Sequence, residues 1–384
     1  MGGKLSLQRA ENLFIAVSCM ELFMGLLRMC RVTLPFSRYV LWAFTLVYAA
    51  VASVRQYSKR QKVLFVVLLV SGVLLYWNTG LNKGVRAVFY LYAMKDVDMR
   101  KYFKSMLVVF VASTLLFAVL SRLGIMEMYV IKDVRSDRGF NGYRYSFGYE
   151  SCNSLMAVVF LAMVCEFILH HDGQPWYVFA VVAGIYVLMY YLTDSRTGFI
   201  VGAAVFAGML CLRIIHWERW VDLAFGLFIL SLPVMLAISV MAAFRVDNAL
   251  LSRINHFISG RMSQLATYPC DAKYALAYAE NWRLFGSGSN HNDYDMGYIQ
   301  IFYYYGIVPA VCYLACVAGA AVKAWKDREA WKLVLLLGLC GYLFMESLYF
   351  SNFVPVDFLL VYSVSVLWGN PSFMDDKEGS FLHG

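Results

Sequence analysis

The chain has 384 residues, of which 61% are apolar and 15% are charged, and its mean hydropathy is +0.61. Soluble domains are nearer half apolar and a quarter charged, so this chain cannot cover itself with a wettable surface. The composition excludes a disordered protein, a secreted disulfide scaffold and an ordinary cytosolic enzyme, and it predicts an all-α polytopic membrane protein. The net charge of +8 does not predict a nucleic-acid partner, because the basic residues cluster in short segments between apolar runs.

Apolar runs follow one another along the chain, and a spanning helix needs about 20 mostly apolar residues. The fourth run is short and carries Arg86, so it either crosses the membrane with a snorkelling arginine or lies in the interface. The first option gives about twelve spans and the second gives eleven. The candidate spans are 11–31, 34–54, 62–80, 83–95, 105–123, 153–170, 175–193, 197–215, 220–244, 297–322, 332–350 and 354–369.

The distribution of basic residues favours twelve spans. With twelve, the lysine- and arginine-containing segments at residues 4–9, 55–62, 95–104, 213–219 and 323–332 all fall on one side, whereas with eleven the clusters before and after residue 90 fall on opposite sides. Basic segments normally stay in the cytoplasm, so both termini are predicted to be cytoplasmic. We therefore expect one transmembrane helical domain over residues 1–370, with two long external loops at about 124–152 and 245–296. Residues 371–384 form a polar cytoplasmic tail.

The predicted external segments carry many arginines and few lysines. One interpretation is that long loops escape the inside-positive rule, which applies mainly to short loops. The other is an anion site, because arginine is always charged and binds phosphate oxygens through two parallel hydrogen bonds. These arginines are Arg135, Arg138, Arg144, Arg196, Arg245, Arg253, Arg261 and Arg283.

Short motifs on the predicted outer side appear in a definite order. They are Phe147-Gly148-Tyr149-Glu150-Ser151-Cys152-Asn153 at the head of a span, Asp194-Ser195-Arg196-Thr197-Gly198 between two spans, Ser259-Gly260-Arg261 in the second long loop, and the stretch from Gly286-Ser287-Gly288 through Asn290-His291-Asn292-Asp293-Tyr294-Asp295 to Tyr305-Gly306-Ile307.

This order resembles the O-antigen ligase and polymerase superfamily (Wzy-like), over the topology of most of the chain and over motifs at 144–156, 194–198, 259–261 and 286–307. The resemblance implies glycan transfer from a polyprenyl-pyrophosphate donor to an acceptor sugar hydroxyl on the outer face of the bacterial inner membrane. It also implies inversion at the anomeric carbon, without a metal or other cofactor. The expected activity is polymerisation of lipid-linked oligosaccharide repeat units for O-antigen, capsule or exopolysaccharide.

The resemblance assigns roles to individual residues. Arg196 and Arg261 match the pyrophosphate-binding arginines of the superfamily. Fixed guanidinium groups suit this role because they stabilise the charge of a departing pyrophosphate. His291 matches a histidine of ligases, and Asp295 falls where polymerases often have an acid. An acceptor hydroxyl benefits from a positioned base, so we expect His291 and Asp295 to be catalytic. The expected supporting residues are Arg144, Asn153, Arg253 and Glu346.

Simpler interpretations of these residues stay open. Arg196 could pair with Asp194 in a solvated turn. His291 could be an ordinary loop histidine, and His256 is another candidate base. Asp295 could cap the span that follows it, since carboxylates favour helix N-termini.

Charged residues inside spans are costly and functional by default. Glu21, Glu166 and Glu346 qualify, with Glu166 expected to be structural and Glu346 expected near the outer end of its span. The aromatic run Tyr303-Tyr304-Tyr305 is expected in an interface belt.

Two other functions are also compatible with the sequence. A ligase would transfer glycan to lipid A core, and a lipid-linked oligosaccharide flippase or other transporter would share about twelve spans and basic residues. A transporter commonly concentrates polar groups at the bilayer midplane, in broken helices, whereas this chain concentrates them in an external loop. The expected partners are the lipid-linked donor and acceptor, the bilayer, a chain-length regulator and a flippase.

Overall fold

A computed structural model describes residues 2–32, 34–127, 130–132, 143–171, 175–215, 219–244, 249–257, 279, 282–286, 296–346 and 353–368. These residues are overwhelmingly helical. Their helices are α1 (Gly2–Met29), α2 (Ser37–Val54), α3 (Lys59–Thr79), α4 (Lys83–Ala93), α5 (Met99–Arg122), α6 (Cys152–Leu169), α7 (Trp176–Thr193), α8 (Arg196–Ile214), α9 (Trp220–Ala243), α10 (Ala249–Phe257), α11 (Gly297–Gln300), a π-helical turn (Ile301–Tyr305), α12 (Ile307–Lys326), α13 (Ala330–Met345), a 3-10 turn (Val354–Val356) and α14 (Phe358–Trp368). Strands β1 (Val130–Lys132) and β2 (Tyr143–Tyr145) pair antiparallel, with Ile131 opposite Arg144.

The long helices are apolar enough to cross a membrane. In the part of the chain that the structure describes, nine helices pass this criterion: α1, α2, α3, α5, α6, α7, α8, α9 and α12. Helices α13, with 16 residues, and α14, with 11, are apolar but shorter. The chain is therefore all-α with the helices of a multi-pass membrane protein, as its composition predicts. The count of twelve spans stays a prediction.

The fourth predicted span differs from a regular membrane helix. Helix α4 has 11 residues, so it is about 17 Å long, whereas the hydrocarbon core is about 30 Å thick. Arg86 does not snorkel to an exposed surface, because its side chain is fully buried and Arg86 Nη1 donates to Asn82 Oδ1 at 2.6 Å.

The predicted span at 297–322 is interrupted near its start. Helix α11 continues into the π-helical turn, and the chain then breaks at Gly306, whose φ is +91°. The continuous helix begins at Ile307. The assignment of the tyrosine run to an interface belt is wrong for two of its members, because Tyr303 and Tyr305 are buried.

The packing of the helices divides the chain into two compact units. The first comprises residues 1–55, 93–211 and 368–384. In it, α5 packs on α6 and α1, α1 packs on α2, and α6 packs on α7, which also contacts β2. The ring of Phe14 lies 5.8 Å from that of Tyr48 and 5.9 Å from that of Tyr102.

The second unit comprises residues 56–92 and 212–367. In it, α13 packs against α9, α12 and α11, and α12 also contacts α3. A cluster of buried apolar side chains joins the end of α9 to α11 and the π-helical turn. Its members are Ala242, Ala243, Met296, Ile299 and Tyr303.

Two predicted intramembrane acids have polar partners within the first unit. Glu21 is fully buried, and the Tyr48 hydroxyl donates to its Oε2 at 2.8 Å. Glu166 lies 2.9 Å from Nδ1 of His170, one turn along the same helix. The first contact satisfies a buried carboxylate. The second gives the partly exposed Glu166 a partner on its own helix, which fits the structural role expected of it.

Candidate functional site

The turn between α7 and α8 carries the predicted Asp-Ser-Arg motif in the first unit. Asp194 caps the end of α7 in the left-handed conformation, with φ of +46°. Arg144, on strand β2, donates from Nε to the Thr193 carbonyl at 2.8 Å and from Nη2 to the Asp194 carbonyl at 3.4 Å. These carbonyls lie at the C-terminal end of α7, where a cation is electrostatically favoured. Arg144 therefore braces the turn from a different element, strand β2.

Arg196 begins α8 immediately after this turn. Its Nε lies 4.0 Å from Asp194 Oδ1, at the outer limit of an ion pair, and its side chain is 43% exposed. The backbone that carries Arg196 is thus fixed, while its guanidinium group is only loosely paired and open to solvent. The predicted pair with Asp194 is present, but at this distance it leaves hydrogen-bonding capacity for an anion. The hydroxyl of the neighbouring Ser195 is buried and has no hydrogen-bond partner.

The start of α6 lies after strand β2 in the same unit. Ser151 caps the helix, since its side chain accepts from the Ser154 amide at 3.0 Å, and half-buried Asn153 lies in the first turn. Tyr149 is buried and shares a 2.9 Å hydrogen bond with Thr114. Burial raises the pKa of the Tyr149 hydroxyl, so it stays protonated at neutral pH. The motif at 147–153 therefore leads through a capped turn into α6, whose first turn carries Asn153.

In the second unit, the end of the second long loop docks onto the start of α12. The Ile307 amide donates to the Arg283 carbonyl at 2.9 Å, and the Val308 amide donates to the Leu284 carbonyl at 3.0 Å. These amides belong to the first turn of α12, where a helix supplies no carbonyl partners of its own. We call this pairing of residues 283–286 with 305–308 the loop-return contact.

Two glycines allow this close approach. A Cβ on Gly306 would lie 2.7 Å from the Leu284 carbonyl oxygen and would collide with the Gly286 amide. Gly286 has φ of +67°, and a Cβ there would lie 2.6 Å from a methyl group of Thr79. Asn78, beside Thr79 on α3, donates to the Phe285 carbonyl at 2.9 Å. Gly286, the described residue of the motif at 286–288, is thus in direct contact with Gly306 of the motif at 305–307.

The chain on the C-terminal side of residues 287–295 also makes close contacts. Gly297, at the start of α11, packs so closely on the end of α13 that a Cβ would lie 3.0 Å from the Glu346 carbonyl oxygen. Glu346 is 1% exposed and follows the last residue of α13. The described residues that precede and follow 287–295 are therefore held in place, residues 283–286 by the loop-return contact and Gly297 by the end of α13.

The structure also reveals a buried charge cluster in the second unit that the sequence did not predict. Lys83 Nζ donates to the Tyr305 hydroxyl and lies 3.4 Å from Asp357 Oδ2. Tyr313 donates to Asp357 Oδ1 at 2.8 Å. The exposed fractions of the Lys83 and Asp357 side chains are 3% and 1%. The buried charge cluster consists of Asn82, Lys83, Arg86, Tyr305, Tyr313 and Asp357.

The energetics of this cluster make it noteworthy. Removing one partner of a buried ion pair leaves an unpaired charge and typically costs about 3–5 kcal/mol. Charged residues inside a membrane protein are rare for this reason and mark functional sites by default. The signal present in the sequence was Lys83 and Arg86, three residues apart at the head of an apolar run, together with Asp357 inside the last apolar run.

The remaining predicted site residues are not brought into contact with Arg196 or with the loop-return contact by the described part of the structure. Arg253 is exposed on α10 and belongs to the second unit. His291, Asp295 and Arg261 lie outside the described residues, as does His256 with respect to its side chain. Their catalytic and binding roles stay predictions.

Comparison of the chain with models of protein families, with curated proteins and with solved structures finds no significant match.

Proposed function

We propose that this protein is a membrane glycosyltransferase that polymerises lipid-linked oligosaccharide repeat units on the outer face of a bacterial inner membrane. Arg196 and Arg261 bind the pyrophosphate of the polyprenyl donor, and His291 with Asp295 activates the acceptor hydroxyl. The donor's glycosidic carbon–oxygen bond breaks, the pyrophosphate leaves on its lipid, and the acceptor oxygen forms the new bond with inversion. The acceptor proton passes to the base.

The observation that carries the proposal is the state of Arg196. Its backbone is held by a turn that Arg144 braces, whereas its guanidinium group is 43% exposed and loosely paired. A cation whose position is fixed and whose donors remain open stabilises a developing phosphoryl charge without reorganising during the reaction. Residues 283–286 and 296–297 add fixed ends for the segment that carries the proposed base.

The proposed orientation has twelve crossings, and a parity argument supports it. The end of α3 contacts Phe285, and Lys83 contacts Tyr305, and we therefore assign the α3–α4 turn and the loop-return contact to the same side of the membrane. Helices α4 to α9 lie between these points in sequence. Five of the six are long enough to cross. Five crossings would leave the α3–α4 turn and the loop-return contact on opposite sides of the membrane. If the nine-residue α10 does not cross, the two lie on the same side only when α4 is a sixth crossing.

The test is transfer by the purified protein in liposomes that contain polyprenyl-pyrophosphate-linked oligosaccharide. We expect a ladder of polymers for the natural chain. Lysine is a point donor and replaces a bidentate arginine poorly. Arg196→Lys should therefore lose a charge-assisted contact worth about 1.5–3 kcal/mol, which lowers the rate about 10- to 150-fold.

A matched control is Arg328→Lys. Arg328 Nη1 lies 2.8 Å from Asp222 Oδ1, and both side chains are about half exposed, on the predicted cytoplasmic side. This variant should retain the natural rate. Equal rates for Arg196→Lys and Arg328→Lys would remove the pyrophosphate role from Arg196. Transfer of the oligosaccharide to added lipid A core, with no polymer ladder, would assign the protein as a ligase.

A flippase or other transporter is the second candidate, because one observation favours it. Helix α11 and its π-helical turn are separated from α12 by a break at Gly306, and a buried ion pair lies beside the break. Broken helices with buried charges are typical of transporter binding sites. In the same liposomes, loss of the labelled oligosaccharide from the reach of an impermeant lectin, without any polymer, would favour transport over transfer.

A further inference from the structure

The buried charge cluster lies directly beside the loop-return contact. Lys83 bonds the hydroxyl of Tyr305, and its Nζ lies 4.9 Å from the centre of the Tyr305 ring. Tyr305 is the last residue of the π-helical turn, and Gly306 follows it. Lys83 therefore holds the residue at which the chain leaves the turn and reaches the loop-return contact.

Asp357 fixes Lys83 from the opposite direction. Its Oδ2 lies 3.4 Å from Lys83 Nζ, and its Oδ1 accepts from the Tyr313 hydroxyl. Tyr313 lies on α12, whose first-turn amides bind the carbonyls of Arg283 and Leu284. The cluster thus forms hydrogen bonds on both sides of the Gly306 break, with Tyr305 before it and with Tyr313 after it.

The chain approaches residues 284–286 closely at the break. Gly306 adopts a φ of +91° and lies so close to backbone atoms of residues 284–286 that a methyl group on it would have no room. A small rotation at this position would separate the carbonyls of residues 283 and 284 from the amides that they accept. A π-helical turn is itself a rare element that is frequently found at functional sites.

We propose that Lys83 and Asp357 are positioning residues: their buried ion pair fixes the Tyr305–Gly306 break and thereby holds the loop-return contact that anchors the segment carrying His291. This inference rests on the proposed function for its catalytic consequence, although the restraint itself can be measured without any activity. The pair acts through Tyr305 and Tyr313 and does not touch the substrate.

The ion pair could instead serve stability alone, and a neutral replacement separates the two roles. Replacing both partners of a buried ion pair with apolar residues of similar size is often harmless to stability, whereas removing one partner is not. The variant Lys83→Met/Asp357→Leu should therefore insert and fold, but it cannot bond Tyr305 or Tyr313. Tyr305→Phe is a milder variant, because it removes one hydrogen bond and leaves Lys83 paired with Asp357.

The matched control is Lys332→Met/Glu329→Leu. Lys332 and Glu329 form a largely buried ion pair in the same unit, at the start of α13. This pair joins residues three apart on one helix turn and has no contact with Gly306 among those the structure describes. The control pair is thus a lysine–carboxylate ion pair like Lys83–Asp357, but it lies at the start of α13 and not beside Gly306.

The experiment combines amide hydrogen exchange with turnover. Exchange is followed at Ile307 and Val308, whose amides donate to the loop-return carbonyls. We expect exchange at both positions to rise about threefold to tenfold in the double variant and in Tyr305→Phe, and to stay at the natural rate in the control. Polymer turnover should fall about tenfold to a hundredfold in the same variants, with the donor KM little changed, because misplacement lowers kcat.

The outcomes distinguish failure of the positioning role of Lys83 and Asp357 from failure of the proposed polymerase function. Natural exchange and natural turnover in Lys83→Met/Asp357→Leu would overturn the positioning role. Faster exchange with unchanged turnover would also overturn it as a catalytic device. If the natural chain makes no polymer but the double variant still exchanges faster than the control, the restraint stands and the polymerase function fails.

Discussion

Arg144 and Arg196 show how two arginines at one turn perform different tasks. Arg144 uses its donors on two backbone carbonyls, so its charge is committed to the protein. Arg196 keeps its guanidinium group exposed and loosely paired. The resemblance to the O-antigen ligase and polymerase superfamily predicted Arg196 as a binding residue, with Arg144 as a supporting one. It could not predict what Arg144 contacts, because the hydrogen bonds join a strand to a turn about 50 residues away.

Arg144→Gln tests the bracing of the turn. Glutamine cannot span both carbonyls, so Arg196 should lose its fixed position, and we expect the donor KM to rise about tenfold. The comparison variant is Arg31→Gln. Arg31 pairs with Glu150 at 2.9 Å, but their side chains are 61% and 40% exposed, and such surface pairs contribute little. A donor KM in Arg144→Gln that matches Arg31→Gln would show that the brace is dispensable.

The identity of the base is tested at His291. Glutamine retains hydrogen bonding but cannot accept the proton, and loss of a general base typically lowers rates about 10²- to 10⁴-fold. Single-turnover transfer with purified donor measures this directly. We expect His291→Gln to be severely slowed and His256→Gln to be normal. A rate for His291→Gln within about threefold of the natural chain excludes it as an essential base, whereas an inactive His256→Gln would reassign the role.

At the scale of elements, helix positions could be predicted and helix breaks could not. Apolar runs located the long helices because length and hydropathy are local properties. The break at Gly306 escaped, because Tyr305-Gly306-Ile307 lies within an apolar window and glycine alone does not end a membrane helix. The break depends on the close approach of residues 284–286, and the Lys83–Asp357 pair joins positions 274 apart. No local pattern carries that information.

Two glycines allow the importance of the break to be measured. Gly80 and Gly306 both have positive φ, +70° and +91°. A Cβ on Gly80 would meet nothing within 4 Å, whereas a Cβ on Gly306 would meet backbone atoms of residues 284–286. Gly80→Ala should therefore cost only backbone strain, about 1 kcal/mol. Gly306→Ala must also separate the loop-return contact.

We expect Gly306→Ala to lose polymer synthesis while Gly80→Ala retains it at equal membrane levels. Thermal denaturation in detergent supplies the second measurement, with a larger decrease in Tm for Gly306→Ala. Backbone atoms cannot move aside as flexible side chains do, so the collision at Gly306 has no easy relief. Equal Tm and equal polymer in the two variants would mean that the close approach at Gly306 has no functional weight.

At the scale of the whole molecule, charge patterning and contact geometry address the same question from different directions. The inside-positive rule predicted twelve spans from the placement of lysines and arginines. Asn78 at the end of α3 contacts Phe285, and Lys83 at the start of α4 contacts Tyr305; if these contacts lie on one side of the membrane, the number of crossings between them is even. Helix α4, with 11 residues, decides the parity, although its length alone would exclude it as a regular span.

Cysteine labelling tests this parity. In a background without the nine native cysteines, single cysteines at Leu81, Arg100 and Asn290 are treated with an impermeant thiol reagent on intact cells whose outer membrane is permeable. Leu81 precedes α4, Arg100 lies in the first turn of α5 just after it, and Asn290 lies in the second long loop. The twelve-span orientation predicts reaction at Leu81 and Asn290 from outside, and reaction at Arg100 only after the inner membrane is opened. Reaction at Arg100 together with Leu81 would mean that α4 does not cross. Failure at Asn290 would remove the external location on which the donor, the arginines and the proposed base all depend.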